Sequence, residues 1–149
     1  MAKLIFGCGY LGERVARRWQ SGGHEVAVVT RSRERAADFQ RQGYKAIVAD
    51  ISRSGTLQNL PGADTVLFSV GYDRGSGSSI EEVYASGIRN VLAALPRDTG
   101  RLIYISTTGV YGPADGEWVD ETTPPNPHRA GGRASLARSD TGAAKAADQ

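Results

Sequence analysis

The sequence predicts one α/β domain built on a doubly wound parallel sheet, with about five strands in the order 3-2-1-4-5. Three observations predict it. Short apolar runs alternate with helix-like segments as far as residue 106, a glycine-rich loop directly follows the first run, and every apolar run is far shorter than the roughly 18 residues of a membrane-spanning helix. Right-handed helical crossovers between parallel strands give this strand order.

Five strands and three or four helices follow from the alternation. The first helix carries Leu11, Val15 and Trp19 along one face, and the last begins at a Ser-x-x-Glu capping box headed by Ser79 and ends before Pro96. In chain order we predict strand 4–6, helix 13–20, strand 26–29, helix 33–42, strand 46–49, a weak helix at 57–60, strand 65–70, helix 80–95 and strand 102–106.

Composition excludes several classes of protein. The 149 residues contain 18 Lys and Arg against 16 Asp and Glu, and arginines are interleaved with glutamates, so nucleic-acid binding is not favoured. Cys8 is the only cysteine, which excludes an internal disulfide, and without a Cys–His cluster no metal site is expected. We therefore expect a protein of the reducing cytoplasm, with no signal peptide and no membrane partner.

The chain divides by composition into a folded domain, residues 1–127, and a tail, residues 128–149. The tail contains seven alanines, three glycines and Leu136 as its only large aliphatic side chain. Because so little of it is apolar, we expect a poorly ordered or partly helical end.

A glycine-rich loop joins the first strand to the first helix, in the position that a dinucleotide-binding fingerprint requires. Its first glycine permits a tight turn, its second lets a pyrophosphate approach the backbone, and its third allows the helix to pack closely on the sheet. The alternative is a tight strand–helix turn without a ligand, and Cys8 is expected to fill space there. The loop reads Gly7-Cys8-Gly9-Tyr10-Leu11-Gly12.

The end of the second strand indicates which dinucleotide is preferred. An NAD enzyme usually presents Asp or Glu there, about 20 residues beyond the loop, whereas this chain has Thr30-Arg31-Ser32-Arg33. A guanidinium favours the 2′-phosphate of NADP, so NADP is predicted in preference to NAD. The alternative is that Arg31 and Arg33 are solvated charges at a helix start.

Residues 3–135 resemble the extended short-chain dehydrogenase/reductase superfamily, in its NAD(P)-dependent epimerase/dehydratase group and especially the atypical branch. The resemblance implies a Rossmann-like fold. It rests on the glycine loop, Ala49-Asp50-Ile51, Ser69-Val70-Gly71, Ile105-Ser106-Thr107-Thr108-Gly109-Val110-Tyr111-Gly112 and Asp120-Glu121-Thr122-Thr123-Pro124.

The resemblance also implies roles for individual residues. Asp50 and Ile51 are expected to border the adenine, residues 69–71 to run beside the nicotinamide ribose, and Thr107 to take the place of the catalytic Ser or Thr. Tyr111 is a substitute acid. The alternatives are a turn role for Asp50 and packing at the sheet end for Thr107 and Tyr111.

Two departures from the family pattern qualify this expectation. Members usually carry Tyr-x-x-x-Lys shortly after the proline segment, and here Gly131 and Ser135 take those two places. Members also run to about twice this length. With the tail's composition, this suggests a truncated or frame-shifted copy.

Three functions remain open from the sequence. The first is the NAD(P)-binding domain of an atypical oxidoreductase or epimerase that transfers hydride on a carbonyl or alcohol of an unknown small molecule, with turnover by this chain itself in doubt. The second is a non-catalytic NADP-responsive binding module, and the third an incomplete fragment without function. The apolar helix at 80–95 would pack either against the same helix of a second copy in a homodimer or into the domain's own core.

Overall fold

A five-stranded parallel sheet forms the centre of the computed structural model, which describes residues 2–73, 75, 77–112, 116–128, 130 and 132–134. The order β3-β2-β1-β4-β5 confirms the prediction. The strands are β1 (Ala2–Phe6), β2 (Glu25–Thr30), β3 (Lys45–Val48), β4 (Thr65–Phe68) and β5 (Arg101–Tyr104), and the α-helices are α1 (Tyr10–Ser21), α2 (Arg33–Arg41) and α3 (Gly87–Ala94).

Both faces of the sheet are buried, as parallel strands require. Leu4, Ile5 and Phe6 on the central strand β1 are completely inaccessible. Leu4 and Phe6 belong to the apolar cluster that includes residues of α3, whereas Ile5 belongs to the cluster that includes residues of α1 and α2. Truncating any of these three to Ala should cost about 2–5 kcal/mol. The central strand therefore fixes the carboxyl edge from which the glycine loop begins.

Helix α1 packs through a face that differs in part from the predicted one. Val15 and Trp19 pack against the core as expected, but Leu11 is 41% exposed. Gly12 and Ala16 are buried instead. Small residues let the helix axis approach the sheet more closely than leucine would, so the close contact falls one residue further along the chain than hydrophobicity alone suggests.

The predicted capping box precedes α3. The backbone N–H of Ser79 donates to Glu82 Oε2 at 2.7 Å, and the N–H of Glu82 donates to Ser79 Oγ at 3.1 Å. A π-helical segment, Glu82–Ser86, then leads into α3. The sequence predicted one continuous helix over 80–95 and did not predict this π-helical segment. Ile88 and Val91 are buried in the domain's own core, so core packing accounts for this apolar helix without a second subunit.

The weak helix predicted at 57–60 is wrong. A single 3₁₀ turn, Ser54–Thr56, comes before it, and Asn59 has a left-handed backbone with φ of +58° that an α-helix does not contain. Leu57 and Leu60 are both buried in the cluster beneath α3. Their spacing therefore reflects two buried side chains of an irregular segment, and it does not define the face of a helix.

The predicted division at residue 128 stays a prediction. From the proposed tail, the structure describes residues 128, 130 and 132–134, and within these Ala134 is buried. Gly132 lies so close to Gly109 and Pro127 that a Cβ at position 132 would overlap both. This short segment thus packs against the loop that follows β5.

Candidate functional site

Two glycines of the loop are required by the fold. Gly7 has φ of +84°, and a Cβ there would stand 2.5 Å from the backbone N of Val70, two residues after β4 ends. A Cβ on Gly12 would stand 2.6 Å from the carbonyl oxygen of Gly7. The turn and the close packing of α1 on the sheet thus have the causes that the sequence predicted for them.

Gly9 differs from both, because a Cβ on it would meet no atom of the described chain within 4 Å. It stands just before α1, and no side chain within the described residues caps this helix. The first-turn N–H groups of a helix have no partner within the helix and carry its positive dipole end. The open space beside Gly9 therefore suits an anionic group such as a pyrophosphate.

A cleft of about 310 Å³ opens in front of this loop, at the carboxyl ends of β1 to β4. Ligands of doubly wound sheets bind at this edge. Nine of the predicted cofactor residues line it: Gly7, Gly9, Thr30, Arg31, Asp50, Ile51, Ser69, Val70 and Gly71.

Two arginines and two acidic residues line the cleft wall: Arg31, Arg35, Asp50 and Asp73. Arg31 Nη2 lies 3.4 Å from Asp73 Oδ2. Arg35 Nη2 donates to the carbonyl oxygen of Cys8 at 2.9 Å and to Glu13 Oε1 at 3.0 Å. Arg33, the other arginine considered from the sequence, is exposed and is not among the lining residues.

Sequence reasoning missed Arg35 and Asp73. The signal for Arg35 was its spacing, because it stands four residues after Arg31 at the start of α2, where a helical turn can bring both side chains to one edge. Asp73 has no local signal, since 42 residues separate it from its partner Arg31. Only the strand order brings the ends of β2 and β4 together around β1.

Besides Leu11, three predicted cofactor residues lie outside the lining of this cleft. Ser32 caps α2, where its Oγ accepts the backbone N–H of Arg35 at 3.1 Å. Tyr10 is 80% exposed, with the Arg14 guanidinium 3.5 Å from its ring centroid. Gly12 is buried under the loop. Of these, Tyr10 and Gly12 belong to the first turn of α1.

Asp50 forms a turn and also lines the cleft. Its Oδ1 accepts the backbone N–H of Ser52 at 2.9 Å and the Ser52 hydroxyl at 2.7 Å, which is an Asx turn. Its side chain also borders the cleft beside Ile51. The turn thus holds this carboxylate at the cleft wall.

Cys8 lies in the cleft wall with its side chain almost fully buried. Burial, reinforced by the nearby charge of Glu13, raises the pKa of the Cys8 thiol to about 11. A thiol with this pKa is protonated at neutral pH, so it is a poor nucleophile. The residue therefore fills space, as its sequence position indicated.

A second cleft, of about 230 Å³, adjoins the first through the shared residues 69–71. Thr107 lines it together with Leu11, a predicted cofactor residue, and with Tyr84 and Tyr104. Thr107 Oγ1 accepts the backbone N–H of Gly109 at 3.1 Å. Tyr111 lies just beyond the following 3₁₀ turn, half-buried, and lines neither of these clefts.

Tyr84 is a third residue that sequence reasoning missed as a site residue. It belongs to the π-helical segment before α3, a kind of irregularity that frequently marks functional sites. Its hydroxyl oxygen accepts the backbone N–H of Tyr72 at 3.0 Å. The sequence had assigned Tyr84 only to the apolar face of a helix.

Gly131 and Ser135, the residues that replace the family's Tyr and Lys, lie outside the described residues. Within the part of the chain that the structure describes, no three His, Cys, Asp or Glu residues are grouped to hold a metal ion. In that same part, every helix is too short or too polar to span a bilayer.

Comparison with known proteins identifies the family. A family model described as the NAD dependent epimerase/dehydratase family matches residues 4–141. The chain belongs to this family. No curated protein matches it. The predicted resemblance to the extended short-chain dehydrogenases is thereby confirmed, and the glycine loop and the clefts described above lie within the matched region.

Solved structures of other proteins share the fold of this chain. A candidate NAD-dependent epimerase/dehydratase from Methylobacillus flagellatus is 33% identical, with a TM-score of 0.75, over 95% of this chain and 50% of its own. ADP-L-glycero-D-manno-heptose-6-epimerase from Helicobacter pylori is 19% identical, with a TM-score of 0.77, over 97% and 51%.

A third solved structure contains nucleotides. The Bordetella bronchiseptica enzyme WbmG, in complex with NAD and UDP, is 22% identical, with a TM-score of 0.72, over 93% of this chain and 47% of its own. These last two likenesses, below 25% identity, concern the fold alone. The chain spans about half the length of each of the three solved proteins.

Proposed function

We propose that this chain is the NADP-binding domain of an atypical epimerase/dehydratase-family oxidoreductase, folded over residues 1–127 and resident in the reducing cytoplasm. The observation that carries the proposal is the open space at Gly9, next to the N-terminus of α1 and facing a cleft with two arginines. The family match supports the dinucleotide, and the arginines support the phosphorylated form.

The pyrophosphate would lie on the glycine loop, where the fold leaves room for it. Backbone N–H groups of Tyr10, Leu11 and Gly12, in the first turn of α1, would donate to its oxygens. Leu11 would also contact the nicotinamide half, because its side chain lines the second cleft.

The adenosine half would occupy the first cleft. Asp50 and Ile51 border the adenine in this proposal, and Arg31, at the end of β2, binds the 2′-phosphate, with Thr30 and Ser32 on either side of it. Position 31 carries no carboxylate that would repel this phosphate and favour NAD.

The reaction would occur in the second cleft, where the bound dinucleotide supplies or accepts a hydride at its nicotinamide ring. Residues 69–71 join the two clefts and would run beside the nicotinamide ribose. Thr107 would place its hydroxyl against the oxygen of a carbonyl or alcohol substrate, with Tyr111 as the neighbouring acid. The substrate would be a small molecule.

A non-catalytic NADP-responsive module is the second candidate. The observation that favours it is Gly131 and Ser135 in the places of the family's Tyr and Lys, because neither residue can perform their proton chemistry. Cofactor occupancy would then alter contact with another protein.

The test combines cofactor binding with turnover. Thr107→Ala should bind NADPH like the unmodified chain, and with a carbonyl substrate its hydride-transfer rate should fall by about 100- to 1,000-fold, as for the loss of one donor to a developing oxyanion. Unchanged turnover in this variant would remove Thr107 from the mechanism. Saturable NADPH binding without turnover of any carbonyl probe would favour the second candidate.

A further inference from the structure

Both arginines of the first cleft face a carboxylate. Arg31 pairs with Asp73 at 3.4 Å, with their side chains 47% and 62% exposed. Arg35 pairs with Glu13 at 3.0 Å. A phosphate entering this cleft therefore meets guanidinium groups whose charge is already balanced in part.

The two pairs differ in how firmly the arginine is held. Arg35 also donates to the carbonyl oxygen of Cys8, so its guanidinium links α2 to the glycine loop by a hydrogen bond. The Arg31 pair joins opposite sides of the cleft, because Arg31 follows β2 and Asp73 comes after β4, and these strands flank β1. The Arg31–Asp73 pair thus crosses the carboxyl end of β1.

We infer that Asp73 is a specificity-determining residue that weakens NADPH binding by occupying Arg31. This inference rests on the proposed role of Arg31 at the 2′-phosphate. NADPH must displace the Asp73 carboxylate from the guanidinium, whereas NADH has no 2′-phosphate and leaves the pair in place.

The strength of the contacts sets the size of the effect. An exposed ion pair changes an equilibrium constant by at most about fivefold, so a 2′-phosphate with bidentate contacts to arginine can displace it. The displaced carboxylate stays close to the phosphate and repels it. Removing its charge removes both the competing ion pair and the repulsion. NADPH binding should therefore tighten by about three- to tenfold.

Asp73→Asn is the appropriate variant. Asp73 Oδ1 accepts the backbone N–H of Gly75 at 2.9 Å, and the amide oxygen of asparagine can accept the same bond. A matched control is Asp38→Asn, which removes one carboxylate from the exposed pair with Arg41 on α2, outside both described clefts. The two variants change the net charge equally.

The experiment measures NADPH and NADH dissociation constants for the unmodified chain, Asp73→Asn, Asp38→Asn, Arg31→Gln and the double variant Arg31→Gln/Asp73→Asn. We expect Asp73→Asn to tighten NADPH binding about three- to tenfold and to change NADH binding by less than about twofold. Asp38→Asn should change neither constant. In the Arg31→Gln background, Asp73→Asn should have no selective effect.

Three results would overturn the inference: NADPH binding that is unchanged or weaker in Asp73→Asn, an equal change for both nucleotides, or the same gain without Arg31. Failure of the proposed cofactor preference is a different result. In that case Arg31→Gln alone would leave NADPH affinity unchanged. Asp73→Ser, whose hydroxyl oxygen can accept the backbone N–H of Gly75, serves as a second variant if the asparagine lowers the thermal midpoint.

Discussion

Gly9 separates what the fold requires from what a nucleotide requires. The fold would tolerate a methyl group at this position, because its Cβ would meet no described atom, while a Cβ on Gly7 would overlap the backbone at Val70. A phosphate that approaches the loop backbone would collide with the methyl group at Gly9. The two glycines of one motif should therefore fail in different ways when substituted.

We predict that Gly9→Ala folds normally and weakens NADPH binding by at least about tenfold, equivalent to about 1.4 kcal/mol. Gly7→Ala should instead lower the free energy of unfolding by about 1–3 kcal/mol, because alanine is strained at φ of +84°. Urea unfolding and nucleotide titration of both variants distinguish these effects. Normal NADPH affinity in Gly9→Ala would count against the proposed pyrophosphate position.

The Cys8 thiol should react slowly in the folded protein. Burial raises its pKa from the ordinary value of 9.0 to about 11, so its thiolate population at neutral pH falls by about a hundredfold. Alkylation by iodoacetamide, followed by mass spectrometry, should be slower by at least that factor in the folded chain than in urea. Equal rates in the two states would show that the thiol is neither buried nor protonated as described.

Individual residues were predictable where the chemistry is local. The glycine loop and the capping box at Ser79 each have a signal within six residues of sequence. Asp73 has none, because a distant crossover brings it to Arg31. Tyr84 was assigned to a helical face from its spacing, and the π-helical segment that contains it has no comparable sequence signature.

At the scale of elements, an ion pair links the starts of two neighbouring strands. Lys3 Nζ lies 2.6 Å from Asp64 Oδ1, with the Lys3 side chain only 11% exposed. Lys3 on β1 also donates to Thr65 Oγ1 on β4 at 3.0 Å. The hydrogen bond from Lys3 is the main cause that lowers the pKa of the Asp64 carboxyl in the folded state.

This ion pair predicts a pH dependence of stability. Because the folded-state pKa of Asp64 is lowered, its contribution is present above the unfolded value, about 3.9, and is lost as pH falls through the folded value. Asp64→Asn should thus reduce the free energy of unfolding at pH 7 and lose this difference progressively below about pH 4. Urea unfolding across pH measures it, with Asp38→Asn as the control for charge. A pH-independent difference would contradict the prediction.

Strands and long helices were predictable because their apolar periodicity is strong. The end of α1 also has a local sequence signal, because the helix is capped at its C-terminus by Gly22. The interpretation failed where packing overrides periodicity. Leu11 is exposed because small residues make the closest contact with the sheet, and Leu57 and Leu60 are buried without a helix because Asn59 turns the chain.

At the scale of the whole molecule, the strand order assembles the site and also creates an edge. Gly9, Arg31, Asp50 and Ser69 are at least 19 positions apart in the sequence, and they reach one cleft because β1 lies between β2 and β4. At the far side of the sheet, β5 pairs with β4, and no other strand of the described residues pairs with it. Ile103 lies on β5 and is 38% exposed, and Ile105 follows the strand and is 41% exposed.

An exposed apolar edge strand promotes association with another chain. We predict concentration-dependent self-association of the purified chain and expect Ile103→Lys to reduce it, because a charge on an edge strand disfavours pairing. Sedimentation velocity over a tenfold range of concentration checks this. Identical behaviour of the variant and the unmodified chain would place the association elsewhere or show that the edge is protected.

The most direct test of the account is a fluorescence titration of the purified chain with NADPH and NADH, using Trp19 and Trp118 as energy donors, with Arg31→Asp as the control. The account predicts saturable binding that favours NADPH, and loss of that preference in the variant, because a carboxylate at position 31 repels the 2′-phosphate. Failure of the chain to bind either nucleotide, or a preference for NADH that Arg31→Asp leaves unchanged, would contradict it.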